Sequence, residues 1–140
     1  MTTTHIHELQ VYYEDTDFTG VVYHANYLRF FERAREHLLG QEHLVELYDN
    51  LGIGFVVYKA EITYKEGAKH GDALEVRSVP HLNSLYRIVF DQSVWRKGQD
   101  KPLVLGKVDL VCVDKNNKLV PLPDLVLQGM KEQFGVELKS

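Results

Sequence analysis

The sequence predicts an α+β domain: an antiparallel sheet of about five strands with one long helix against it. Three observations predict it. Tyr27, Phe30, Phe31, Ala34 and Leu38 fall at i, i+3, i+4, i+7 and i+11, which is one face of a helix. Downstream, successive runs alternate apolar and polar residues at period two, the pattern of half-buried strands. The gaps between these runs are short and rich in turn residues, whereas a parallel crossover needs roughly a dozen residues or more.

The elements follow in order. Residues 8–14 place Leu9, Val11 and Tyr13 on one side at period two, a first strand. It ends in Asp15-Thr16-Asp17-Phe18-Thr19-Gly20, where short acids and a glycine announce a turn. The long helix then runs from about Asn26 to Leu39, with Asn26 as its N-cap, Gly40 as its stop and Arg29, Arg33 and Glu36 on its polar side. A weaker helical stretch covers residues 42–50 and closes at Gly52. Four strands are expected over residues 55–66, 73–79, 86–96 and 103–114. The turns between them are His70-Gly71-Asp72, Asn83-Ser84 and Lys97-Gly98-Gln99-Asp100, with Lys115-Asn116-Asn117 after the last. In the last strand Leu103 and Leu105, then Val108, Leu110 and Cys112, read as the inward set; in the third, the alternation slips near Gln92. Pro121 and Pro123 introduce a final helix, residues 124–134, with Leu125, Leu127 and Met130 apolar. One helix cannot cover both faces of such a sheet, so the terminal helix or a second copy must cover the rest.

Composition narrows the function classes. The chain has 140 residues, 44% hydrophobic and 26% charged, which fits one globular domain. A single Cys112 excludes an internal disulfide and reads as a small buried hydrophobe. No apolar run approaches the roughly 20 residues that span a bilayer, and MTTTHIHELQ lacks the basic-then-apolar order of a secretory signal. A cytoplasmic protein is therefore expected. With 16 Lys+Arg against 20 Asp+Glu the net charge is −4, and nothing in the chain resembles the clustered basic excess of a nucleic-acid binder. No P-loop, dinucleotide fingerprint or Gly-x-Ser-x-Gly elbow occurs. His5-x-His7 reads as ordinary polar sequence, and Asp15-x-Asp17 lacks the further oxygen ligands of a metal site, so no metal and no cofactor are expected.

The chemistry concentrates between the first strand and the helix. Glu14, Asp15 and Asp17 crowd into four positions, which raises the cost of ionising all of them. Asp15 reads as a structural turn residue. Beside them the helix opens with unpaired N–H groups and the positive end of its dipole. Such donors can hold a developing oxyanion, and losing one costs roughly 2.7–4 kcal/mol of barrier in acyl-transfer enzymes. A carboxylate next to such donors suits acyl hydrolysis.

The run YYEDTDFTGVVYHANYLRFFERAR resembles the signature of hotdog-fold acyl-CoA thioesterases of the 4-hydroxybenzoyl-CoA thioesterase type, in the Tol-Pal-associated, YbgC-like branch. The order of elements agrees over residues 8–134. The resemblance implies a hotdog fold: an antiparallel sheet of about five strands wrapped around one long helix. It implies that Asp17 is the catalytic carboxylate, acting as general base or nucleophile. It implies that the backbone N–H of His24 polarises the thioester carbonyl, His being typical of the YbgC-like branch at that position. Tyr13, Val22, Tyr23, Asn26, Tyr27 and Tyr64 would then line the substrate site. Phe30 and Phe55 would add to the acyl pocket's packing. Hydroxybenzoyl-type members carry a basic cluster near the fourth strand for CoA phosphates; here Pro80-His81-Leu82-Asn83-Ser84 has none. Phosphate contacts then fall to Lys65, Lys69, Arg87 and Lys97, or the acyl carrier is acyl carrier protein rather than CoA. A homo-oligomer is also implied, a dimer with continuous sheets or a homotetramer. The competing readings are a non-catalytic acyl-CoA or acyl-carrier-protein binding module and a hotdog dehydratase or hydratase.

Overall fold

The computed structural model describes residues 3–138. Its strands are β1 (His5–Gln10), β2 (Gly54–Tyr64), β3 (Ala73–Ser84), β4 (Arg87–Arg96), β5 (Pro102–Val113) and β6 (Leu119–Val120). Its helices are α1 (Asn26–Leu39), α2 (Gln41–Glu46) and α3 (Asp124–Phe134), with a π-turn at Leu47–Leu51 after α2. The sheet is antiparallel in the order β1-β3-β4-β5-β2, and the short β6 pairs with β5. This is the expected α+β layout, and both α1 and α3 take the bounds that periodicity predicts.

Helix α1 has 14 residues, about the length at which an isolated helix is marginal. Packing supplies what propensity does not. Tyr27, Phe30, Phe31, Ala34 and Leu38 are buried against Leu74 and Val76 of β3, Ile88, Phe90 and Val94 of β4, and Val104, Val108, Leu110 and Cys112 of β5. Each large apolar side chain fully buried here contributes roughly 1.5–3 kcal/mol. The small Cys112 is buried among them, as its strand phase predicts, and burial pushes its thiol up to about 12.

The helix lies close on the sheet at Gly106 of β5. A Cβ there would collide with Cε2 of the fully buried Phe31 ring. A glycine inside a strand commonly marks such an approach. Gly106→Ala is expected to destabilise by about 2 kcal/mol, read as a lower urea midpoint with unchanged slope.

Under the helix sits a polar hub that alternation did not anticipate. Gln92 of β4 is buried and continues the inward phase of Ile88, Phe90 and Val94, so β4 has no slip there. Its amide Nε2 donates to the Phe31 carbonyl at 3.1 Å and to Ser78 Oγ at 2.9 Å. Its Oε1 accepts from Nη1 of Arg35 at 3.0 Å. Arg35 is only 6% exposed although it stands among the polar residues of α1. Burial lowers its pKa, opposed by the charge of Glu32, yet a guanidinium stays charged in proteins.

Other differences have local causes. β1 begins earlier than expected and ends at Gln10, because the chain then turns into a 3₁₀ segment at Tyr13–Asp15. Tyr13 therefore leaves the strand and is exposed. The alternation in β1 turns His5, His7 and Leu9 inward, so the two histidines are not surface polar sequence. His7 stacks on His37 of α1 with ring centroids 4.4 Å apart; burial first, then the His37 charge, lowers the pKa of both His5 and His7. In β5 the inward phase runs through the even positions, so Val104 is buried and Leu105 points outward. A bulge between Val57 and Lys59 breaks the period of β2, whose residues are largely exposed at the sheet edge. Pro80 sits in β3 beyond Ser78, the last residue paired with β1, so its missing N–H interrupts no ladder with β1. In α3 the buried residues are Val126, Met130 and Phe134, while Leu125 is exposed.

Candidate active site

The segment between β1 and α1 forms a tight loop. The Asp17 N–H donates to the Val21 carbonyl at 2.8 Å, and the Gly20 N–H to the Asp17 carbonyl at 3.0 Å. Thr16 and Val22 pair across it in an isolated bridge. Gly20 takes φ 85°, a left-handed value that a glycine adopts freely. The loop is fastened to the connection between β2 and β3: the Val22 N–H donates to the Ala68 carbonyl at 2.8 Å, and Val21 bridges Lys69. Arg96 anchors that connection in turn, reaching Asp72 at 3.1 Å, Glu66 at 3.0 Å and the Gly67 carbonyl at 3.4 Å.

The loop fixes one oxygen of Asp17. Oδ1 accepts from the Thr19 N–H at 2.8 Å and from the Thr19 hydroxyl at 2.6 Å, while Oδ2 has no hydrogen-bond partner among the described residues. The Thr19 hydroxyl, then its N–H, then the charge of nearby His24 hold the Asp17 carboxyl below the usual carboxylate range. Asp17 is thus an anion at neutral pH with one oxygen oriented and the other open. The sequence pattern alone gives Thr19 no role at the site, although Asp-x-Thr is the spacing of a side-chain-to-backbone turn. A group with a depressed pKa loses its charge only as pH falls through that lower value. Thr19→Ala is therefore expected to move the acid limb of kcat/KM upward toward the ordinary Asp value of 3.8, with Thr19→Ser restoring it. The neutral-pH rate stays close to that of the parent.

Asp15 is the turn residue the sequence suggests. Its Oδ2 accepts from the Tyr12 N–H at 2.8 Å, and its carbonyl accepts from the Tyr23 N–H at 2.9 Å. Asn26 does not cap the helix. It is the first helical residue, and its Nδ2 donates to the Asp15 carbonyl at 3.0 Å. The position before it is Ala25, which has no side chain to accept a hydrogen bond. The consequence is chemical: among the described residues, the N–H groups of His24 and Ala25 have no hydrogen-bond partner. Both peptide groups are nonetheless held by their carbonyls. The Tyr23 carbonyl accepts from the Asn26 N–H at 2.8 Å, and the His24 carbonyl accepts from the Tyr64 hydroxyl at 2.9 Å.

Around this point the structure gathers most of the candidate residues. Tyr23 lies against the His24 ring at 4.6 Å, and Tyr64 meets that ring edge-on at 6.1 Å. Tyr13 packs 5.9 Å from His70. Phe18, next to Asp17, is fully exposed at the loop tip. Val22 and Tyr27 are buried instead, and the Tyr27 hydroxyl accepts from the Ala68 N–H at 3.0 Å, so both belong to the floor beneath the loop. Lys65 and Lys69 lie on the adjacent connection. Lys97 sits at the same end of the sheet but pairs with Glu8 at 3.1 Å. Arg87 is not brought to the site. It starts β4 at the opposite end of the sheet, 3.6 Å from Asp109 and stacked on Tyr58.

An antiparallel sheet packed on one long helix is the layout of the hotdog fold. The comparisons agree. Residues 11–130 match the thioesterase-like superfamily. The acyl-CoA thioesterase YbgC of Haemophilus influenzae is 40% identical over 110 residues, covering 76% of this chain and 78% of that protein. The 1,4-dihydroxy-2-naphthoyl-CoA hydrolase of Thermosynechococcus vestitus is 30% identical over 117 residues, 81% of this chain and 80% of that one. The crystal structure of Slr0204, a 1,4-dihydroxy-2-naphthoyl-CoA thioesterase from Synechocystis, superposes with a TM-score of 0.85 at 27% identity, over 94% of this chain and 98% of that one. The chain belongs to the thioesterase-like superfamily and is a thioester hydrolase of the acyl-CoA thioesterase kind.

Proposed function

We propose that the chain hydrolyses an acyl-CoA thioester, with Asp17 as general base or nucleophile and the His24 backbone N–H as oxyanion donor. The observation that carries this reading is the pairing of an ionised carboxylate, one oxygen open, with a helix start whose N–H groups are uncapped. The thioester carbonyl oxygen accepts from the helix start, which stabilises the tetrahedral oxyanion. As general base, Asp17 takes a proton from water as the water oxygen bonds to the carbonyl carbon. The C–S bond then breaks, and the CoA thiolate leaves and takes up the proton. As nucleophile, Asp17 Oδ2 itself displaces the thiolate, and water hydrolyses the resulting mixed anhydride. Either route releases one carboxylic acid and one thiol.

In this reading Tyr13, Tyr23, Asn26 and Tyr64 rim the substrate over the floor of Val22 and Tyr27, and Lys65 and Lys69 meet the CoA phosphates. The exposed edge strand β2, with Val56, Val57 and Tyr58 open, supports a homo-oligomer with continuous sheets. Among the described residues no helix is long and apolar enough to cross a membrane. We place the activity in the cytoplasm. The test incubates the protein with short, long and aromatic acyl-CoAs and follows thiol release, with binding measured by calorimetry in parallel. Release at catalytic enzyme concentrations is expected. Binding without release would replace this reading with that of a carrier-binding module.

A further inference from the structure

The sequence suggests Tyr64 as a substrate contact, but its hydroxyl is already engaged. It donates to the His24 carbonyl at 2.9 Å. That carbonyl belongs to the same peptide group as the Ala25 N–H. The peptide bonds are trans, so the C=O and N–H point in opposite directions. With the tyrosine hydroxyl on one side, the Ala25 N–H opens on the other, where it has no partner among the described residues.

We infer that Tyr64 is a positioning residue: it fixes the peptide group joining His24 and Ala25, so that the Ala25 N–H stands as a second oxyanion donor beside that of His24. This rests on the thioesterase mechanism proposed above. Four features support it. Tyr64 ends β2 and pairs with Val104 of β5, so the sheet rather than a loop delivers its hydroxyl. Its ring is held between His24 at 6.1 Å and Tyr27 at 5.8 Å. Burial raises its pKa, so the hydroxyl remains a donor at neutral pH. Tyr64 is also 45% exposed, so water would satisfy the His24 carbonyl if the hydroxyl were absent. The fold does not require this bond, whereas a preorganised donor does. A hydrogen bond accepted at the carbonyl also polarises the peptide and strengthens its N–H, by about 10–30% in condensed-phase estimates.

The test is Tyr64→Phe, which keeps the ring and removes the hydroxyl. kcat is expected to fall about tenfold, a part of the roughly 10²–10³ lost with a whole oxyanion donor. KM is expected within about twofold of the parent's, and the thermal midpoint unchanged. Affinity for a trifluoromethyl-ketone analogue of acyl-CoA, which binds as a tetrahedral oxyanion, falls by the same factor as kcat, while affinity for an inert thioether analogue does not. A Tyr64→Phe variant with parental kcat, or one altered in KM alone, overturns the inference and leaves the thioesterase reading standing. A parent without turnover on any acyl-CoA overturns both.

Discussion

Asp17→Asn is expected to lower kcat at least about 100-fold, within the roughly 10²–10⁴ that a positioned base supplies. The substitution is nearly isosteric, and its amide oxygen can still accept from the Thr19 N–H and hydroxyl, which hold Oδ1 at 2.8 and 2.6 Å. The loop and the thermal midpoint should therefore survive, and the loss belongs to chemistry rather than folding. A variant as fast as the parent would remove Asp17 from the mechanism. His24→Ala provides the contrast. It deletes the ring but keeps the N–H, so the expected loss is much smaller, confined to the weakened field at Asp17 and the lost packing against Tyr23 and Tyr64. A collapse as deep as that of Asp17→Asn would make the imidazole a participant.

The largest expected effect on stability lies away from the chemistry, at Gln92. Gln92→Ala removes the acceptor of the Arg35 guanidinium and the donor to Ser78 and the Phe31 carbonyl in one step. A hydrogen bond to a charged group is worth about 1.5–3 kcal/mol, and the cavity adds to it, so a loss of about 4 kcal/mol is expected from urea unfolding. The charge stranded under α1 is the main cause. Gln92→Leu combined with Arg35→Met and Ser78→Ala should accordingly recover most of the loss, because a buried polar group and its side-chain partners replaced together by apolar ones can be nearly neutral. A Gln92→Ala variant within about 1 kcal/mol of the parent would contradict this account of the hub.

These two sites mark what the sequence made legible. Helix α1 is legible because Tyr27, Phe30, Phe31, Ala34 and Leu38 obey one period over its full length. Arg35 and Gln92 are not, because their burial depends on meeting each other across 57 positions of chain. Period counting takes each as polar and therefore outward. In β5 Val108, Leu110 and Cys112 face inward and Leu103 is buried as alternation predicts, whereas Leu105 is exposed. An apolar residue fits either register, and the close approach at Gly106 that decides the phase is tertiary. At the site the acids, His24 and the aromatic residues of positions 13–27 cluster within one short run, and the resemblance singles out Asp17 and His24 within it. Thr19 and the hydroxyl of Tyr64 escaped, since their roles are hydrogen-bond directions. Arg87 lies at the far end of the sheet because β4 runs its whole length between that residue and the end where Arg96 anchors the connection.

The most direct measurement of the central claim is a crystal structure with an acyl-CoA analogue whose thioester sulfur is replaced by a methylene, leaving the carbonyl intact. The ketone oxygen is expected within hydrogen-bond reach of the His24 N–H, with the open oxygen of Asp17 facing the carbonyl carbon directly or through one water. A carbonyl bound elsewhere, with the Asp17 carboxylate facing bulk solvent away from it, would contradict the account.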